Sequence, residues 1–200
     1  MEQRILDAAR SLFYKQGFAS TSTVQIAHAV GCNQALVHYY FRTKENLFRR
    51  IFTEEIQSAW QVVSDSIDPN TTTEQLIACC VDLYFEKLMK HRELPFFVMQ
   101  ELTLNESRRQ YLRDSLVQAP MFNKLYLQLE SVLRRDQDAG RVVKIEPLDM
   151  VMNIASLVVF TFLSMPLYKD LFNRTPDQVD NYLLHRKQEI IRLITDGIRP

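Results

Sequence analysis

The chain has 200 residues with 24 basic and 24 acidic side chains, so its formal net charge is zero, which argues against a uniformly basic nucleic-acid binder. At this length folding buries roughly 70% of the unfolded surface, so the core needs no metal or disulfide staple. The cysteines Cys32, Cys79 and Cys80 cannot all pair and lack metal-ligand spacing, which fits a reduced cytoplasm. The charge is unevenly spread: residues 1–50 carry seven Lys or Arg against three acids, a head of +4 on a body of −4. A basic head on an acidic body is what a DNA-binding head would show.

The start, Met1 to Arg10, is charged and helical in character and has no apolar signal-peptide core. Ile5, Ala8, Ala9, Leu12 and Phe13 recur at helical spacing and predict a first helix over 2–16, stopped by Gly17, with Phe18 packing back. One residue of Ser20 to Thr23 caps a second, short helix whose apolar face is Ile26, Ala27 and Val30. Gly31 makes a tight turn. Asn33 then caps a third helix through Gln34, Ala35, Leu36, Val37, His38, Tyr39 and Tyr40. Two short helices joined in this way form a helix-turn-helix, which lays its second helix in the major groove of DNA.

Thr43 opens a long fourth helix over about 44–66, and Pro69 with the run Asn70 to Thr73 breaks the pattern. A fifth helix covers about 73–90. Pro95 starts a sixth, Phe96 to Leu104. A seventh runs from Asn105 to Asp138, interrupted or kinked at Pro120, and stops at Gly140. An eighth begins at Pro147 and runs to about Ser164, with Pro166 ending it. Thr175 caps a ninth, which starts at Pro176 and ends near Gly197. All four glycines fall where a left-handed helix stop is wanted. No alternating strand pattern is present, so the fold class is all-α, with about nine helices.

Met150 to Tyr168 holds no charged residue, close to the length of a membrane span. Polar residues interrupt it and no basic cluster flanks it, so the expectation is burial, one face in the core and one against a partner subunit. His28, His38, His91 and His185 are scattered, and neither a phosphate-binding loop nor a nucleophile motif is present. The expectation is therefore no enzyme, no metal and no cofactor.

Residues 4–48 resemble the DNA-binding domain of the TetR family of bacterial transcriptional regulators. Ile5, Ala8, Ala9, Leu12, Phe13, Gly17, Thr23, Ile26, Ala27, Gly31, Val37, Tyr40, Phe41, Lys44, Glu45 and Leu47 carry the resemblance. The rest of the chain matches in layout alone. The resemblance implies a helix-turn-helix domain over 1–47 and a helical ligand-binding and dimerisation domain over 48–200. It also implies that Lys44 contacts phosphate and that a small-molecule pocket lies in the C-terminal part. Three positions depart from the family's pattern: His38 where Tyr is usual, Ala35 where Gly or Pro is frequent, and Cys32 where Val is frequent.

A recognition helix points its N-terminal side chains at base edges, here Asn33, Gln34 and Ala35. Gln34 is expected to be the main reader, since a Gln amide makes paired bonds to adenine. Leu36 meets a thymine methyl or packs inward. His38 and Tyr39 reach phosphates. Ser22 and Thr23 offer hydroxyls and free amides where phosphate binds well, and Arg42 is a lesser basic candidate.

One head buries too little surface for selective binding, so a two-fold homodimer reading a palindromic operator is expected. Its interface is assigned to Val158, Phe162, Val179, Tyr182, Leu183, Ile190 and Ile194, giving a four-helix bundle. The implied effector is small and hydrophobic or amphipathic. Its pocket is placed at Phe85, Met89, Phe97, Gln100, Glu101, Tyr126, Met152, Asn153 and Phe160. Effector binding is expected to tilt the fourth helix and release the DNA. The reading is a cytoplasmic ligand-responsive regulator, a repressor, that does not act at a membrane. The alternatives are an activator of the same family or a helical homodimeric interaction protein with a vestigial helix-turn-helix.

Overall fold

The computed structural model describes residues 1–68, 70–117 and 119–200, and ten helices and no strand lie among them. Pro69, expected to help break the fourth helix, lies outside the described residues. The helices are α1 (Glu2–Ser20), α2 (Thr23–Val30), α3 (Gln34–Phe41), α4 (Lys44–Asp65), α5 (Thr73–Lys90), α6 (Leu94–Leu104), α7 (Glu106–Val117), α8 (Pro120–Asp138), α9 (Pro147–Leu171) and α10 (Pro176–Ile198). The extra helix comes from the stretch Asn105 to Asp138, which is two helices. Pro120 has no amide to donate and takes the first position of α8, where none is needed.

Three glycines act as the sequence requires. Gly17 breaks α1 with φ +82°, and Gly31 and Gly140 adopt φ +74° and +66°. Gly197 does not; it lies in the last turn of α10. Pro166 does not end α9 either. The helix runs on to Leu171, because Tyr168, one turn past the proline's neighbour Met165, stacks on Tyr182 of α10 with ring centroids 4.5 Å apart. That contact holds the turn despite the missing amide bond.

The described residues divide into two compact units: Met1–Ser58 with Phe96–Ser115, and Ala59–Pro95 with Leu116–Pro200. The first is larger than the 1–47 head read from sequence, and Phe97 shows why. It is buried among Phe13, Tyr14, Phe48 and Phe52, with ring centroids 5.5–6.5 Å away. Arg108 joins the same unit. Its guanidinium lies 3.6 Å from the Phe18 ring centroid and pairs with Glu45 and with the buried Glu101. Those contacts draw α6 and most of α7 into the core under the helix-turn-helix.

In the second unit α9 packs against α5, α8 and α10. Met150, Ile154, Val158, Phe162 and Met165 form its inner row. By length and composition α9 could cross a membrane, yet here its inner row belongs to a protein core. The carboxylate of Asp136 ties the unit together. It accepts bonds from the Thr73 amide and hydroxyl at 2.7 and 2.9 Å, so it holds the first residue of α5, and it pairs with Arg135 and Arg141.

The interface assigned from sequence needs correction. Val158, Phe162, Val179, Leu183, Ile190 and Ile194 are all buried in the chain's own core, and Tyr182 is half-buried against Tyr168. They are the inner faces of α9 and α10. The outer face of α9 carries Leu148, Val151, Met152, Phe160, Leu167 and Leu171, all exposed in the single chain.

Candidate nucleic-acid interface

Helices α2, α3 and α4 are each closed by a side chain at their start. Ser22 Oγ accepts from the Gln25 amide while Gln25 Oε1 accepts from the Ser22 amide, a capping box at the mouth of α2. Asn33 Oδ1 accepts from the Leu36 amide at 2.9 Å and caps α3. Thr43 Oγ1 accepts from the Asn46 amide and opens α4. Val30 and Val37 fill the space between α2 and α3, and Arg4 donates to the Val30 carbonyl at 3.0 Å, satisfying the end of α2.

This packing leaves one face of α3 open. Asn33, Gln34, Ala35, His38 and Tyr39 are exposed, Tyr39 at 73%. Leu36 is half-buried, as are Thr23 and Lys44, while Ser22 is exposed at the start of α2. Gln34 Nε2 donates to Thr23 Oγ1 at 2.8 Å and lies 3.2 Å from His38 Nε2. Tyr39 and Tyr40 meet edge to face with centroids 5.3 Å apart. Sequence reasoning passed over Tyr40 as a surface residue and did not single out Gln25, although a Ser followed three residues later by Gln is a capping signature.

Lys44 is not placed as expected for a free phosphate contact. Its ammonium donates to the carbonyls of Phe18 and Thr21 at 2.8 and 2.7 Å and sits 4.1 Å from the Phe18 ring centroid. Burial, then the nearby Arg108 guanidinium, draws its pKa below the usual lysine value. Lys44 therefore braces the loop that positions Ser22 and Thr23. Arg42 has the open charge instead. It is exposed just past α3, with φ +64°, and it makes no ion pair among the described residues.

The residues assigned to an effector pocket do not share one environment. Phe97, Gln100 and Glu101 belong to the first unit, where Phe97 is core and Glu101 pairs with Arg108. In the second unit, Tyr126, Met152, Asn153 and Phe160 are exposed. Phe85 and Met89 line an open groove of about 360 Å³ with Glu86, Lys90, Leu184 and Lys187, between α5 and α10. The aromatic and methionine pattern marked apolar residues correctly but could not say which face of each helix they occupy.

Residues 5–51 match the model of bacterial regulatory proteins of the tetR family, and residues 74–194 match a tetracyclin repressor-like C-terminal domain. The chain belongs to the TetR family. As a TetR-family protein it is a DNA-binding transcriptional regulator and not an enzyme. It is similar to the "Probable HTH-type transcriptional regulator YttP" of Bacillus subtilis, 22% identical over 187 residues, covering 92% of this chain and 87% of that one. Its fold is that of FadR from Bacillus subtilis, solved with stearoyl-CoA (TM-score 0.68, 18% identity, 100% of both chains). It also matches a protein of Saccharomonospora viridis solved with choline (TM-score 0.73, 18% identity, 100% of this chain and 97% of that one).

Proposed function

We propose that this TetR-family regulator is a cytoplasmic repressor that binds a palindromic operator as a homodimer and leaves it when a small amphipathic molecule binds the second unit. The observation that carries the DNA reading is the open face of α3. Gln34, Ala35, His38 and Tyr39 stand clear of the core on a helix capped by Asn33, beside the exposed mouth of α2 at Ser22 and Thr23. Base reading is assigned to Gln34, Ala35 and Asn33, with Leu36 at the edge of the groove. The phosphate grip is assigned to Ser22, Thr23 and Tyr39, joined by Arg42, while Lys44 acts from behind them; both ring nitrogens of His38 face groups of the chain itself, Gln34 and the Arg42 carbonyl, so it is left out of the grip.

Self-association is assigned to the outer face of α9, Leu148 through Leu171, rather than to its inner row. An exposed apolar stripe on a long helix favours pairing with the same helix of a second copy. For the effector, the groove lined by Phe85, Met89 and Leu184 offers apolar surface beside the charged Glu86, Lys90 and Lys187, which suits a small amphipathic molecule. FadR with stearoyl-CoA and the choline-bound protein support small-molecule control in proteins of this fold.

Selection of bound duplexes from a random DNA pool by the full chain tests the reading. Enrichment of an inverted repeat with half-sites about one helical turn apart, roughly 34–36 Å or a similar groove-to-groove spacing, supports it. Recovery of unrelated sequences contradicts it.

A further inference from the structure

Given DNA binding through α3, the geometry points to a positioning role for Thr23 and His38: they hold the Gln34 carboxamide with its oxygen outward, so that Gln34 reads an exocyclic amine on a base. This rests on the DNA-binding reading above and narrows what α3 selects.

Gln34 Nε2 carries two hydrogens. One is donated to Thr23 Oγ1 at 2.8 Å, and the other faces His38 Nε2 at 3.2 Å. His38 Nδ1 lies 3.0 Å from the carbonyl oxygen of Arg42. A carbonyl oxygen only accepts, so Nδ1 carries the ring hydrogen, and on the neutral ring Nε2 is left as an acceptor. The amide nitrogen of Gln34 only donates. The contacts therefore agree on one arrangement, and a reversed amide would set its oxygen against the lone pair of His38 Nε2. Thr23 belongs to α2, and His38 lies one turn beyond Gln34 on α3, so both helices of the motif fix the carboxamide.

With both N–H groups in use, the free pole of the amide is Oε1. In the major groove an acceptor meets N4 of cytosine or N6 of adenine, and it is repelled by N7 and O6 of guanine and by O4 of thymine. The paired bond to adenine expected from sequence needs an N–H as well, and that N–H is already spent on Thr23 and His38. Gln34 thus acts as a single acceptor, selecting adenine or cytosine on the strand it faces. Thr23 keeps its own hydroxyl hydrogen for a phosphate, so the two roles of that residue are compatible.

The test is random-pool selection with the full wild-type chain, Gln34→Ala, and the pair Thr23→Val with His38→Phe, which keep shape and remove the two acceptors. The base read by Gln34 is the position whose preference Gln34→Ala abolishes. In the wild type that position is adenine or cytosine over guanine or thymine by about tenfold. In the double variant the freed amide turns, and the ratio falls below about threefold at that position alone. Guanine or thymine there in the wild type overturns the proposal. So does a double variant with uniformly weaker binding and an unchanged base profile, since that marks a merely structural role. If the double variant selects nothing, His38→Phe alone, at an exposed position, carries the same comparison. A wild-type pool with no enriched sequence overturns the DNA-binding reading itself, an outcome distinct from an enriched palindrome that ignores Thr23 and His38.

Discussion

The helix-turn-helix and helix α9 were built by different forces, and each could be read from sequence to a different depth. In the head, polar side chains at fixed offsets set the starts of α2, α3 and α4: Ser22 with Gln25, Asn33 with the Leu36 amide, Thr43 with the Asn46 amide. A cap works only at one position, so the residue and its place are both informative. In α9 the boundaries are weakly marked and the surface is apolar on both sides, with Phe162 buried and Phe160 exposed at 69%. Hydrophobic burial has no direction, so an all-apolar helix announces itself without saying which face is inside.

Truncating the two phenylalanines separately should give the largest and most opposed effects. Phe162→Ala empties a core site beside Phe85, whose ring centroid is 5.2 Å away, and should cost about 3–5 kcal/mol in a urea titration. Phe160→Ala should leave the chain's own fold within about 0.5 kcal/mol and weaken self-association instead. Sedimentation across a concentration series then shows more monomer. Equal losses of stability at both sites would mean that α9 is not two-faced.

Asp136 gives the next largest effect. Asp136→Ala leaves the buried Thr73 amide without this partner and takes the shared carboxylate away from Arg135 and Arg141, a loss of about 3 kcal/mol. Burial opposes ionisation of this carboxyl, but bonds from Arg141, the Thr73 amide and hydroxyl, and Arg135 outweigh it, so its pKa lies well below the ordinary value near 3.8. A depressed folded-state value means that the stabilisation is complete above the unfolded value. It is lost as pH falls through 3.8 toward the folded one. Denaturant midpoints measured from pH 6 down to pH 3 should fall less steeply in Asp136→Ala than in the wild type.

Lys44 and Arg42 separate bracing from grip within the head. Lys44→Ala removes two donated bonds to Phe18 and Thr21 and should cost about 1–2 kcal/mol of stability. Arg42→Ala should leave stability nearly unchanged and flatten the dependence of log K on log salt by about 0.9 per head. If Lys44→Ala gives the flatter slope and no loss of stability, the lysine is a phosphate contact after all and the bracing role is wrong.

Most of the reading head was legible because its chemistry is local. Gly17 and Gly31 stop helices where the sequence demands it, and Asn33 caps α3. What escaped was contact made over distance. Nothing near Lys44 in sequence reveals that the carbonyls of Phe18 and Thr21 would capture its ammonium. Nothing in the Phe96–Ser115 stretch reveals that Phe97 and Arg108 would join the head rather than line a pocket. Pro166 misled for a similar reason. A proline's local cost is fixed, but Tyr168 stacking on Tyr182 decides whether the helix carries on past it.

In the proposed mode of binding, two copies of the α3 head read one palindrome through phosphate grip and base choice together. Its most direct test is a fluorescence titration of the full chain on the selected palindrome, on a single half-site and on a scrambled duplex, repeated from 50 to 200 mM salt. The expected result is tight binding to the palindrome alone, at least about 10³-fold over the scrambled duplex, with log K falling linearly as log salt rises. Equal affinity for all three duplexes, or binding indifferent to salt, would contradict it.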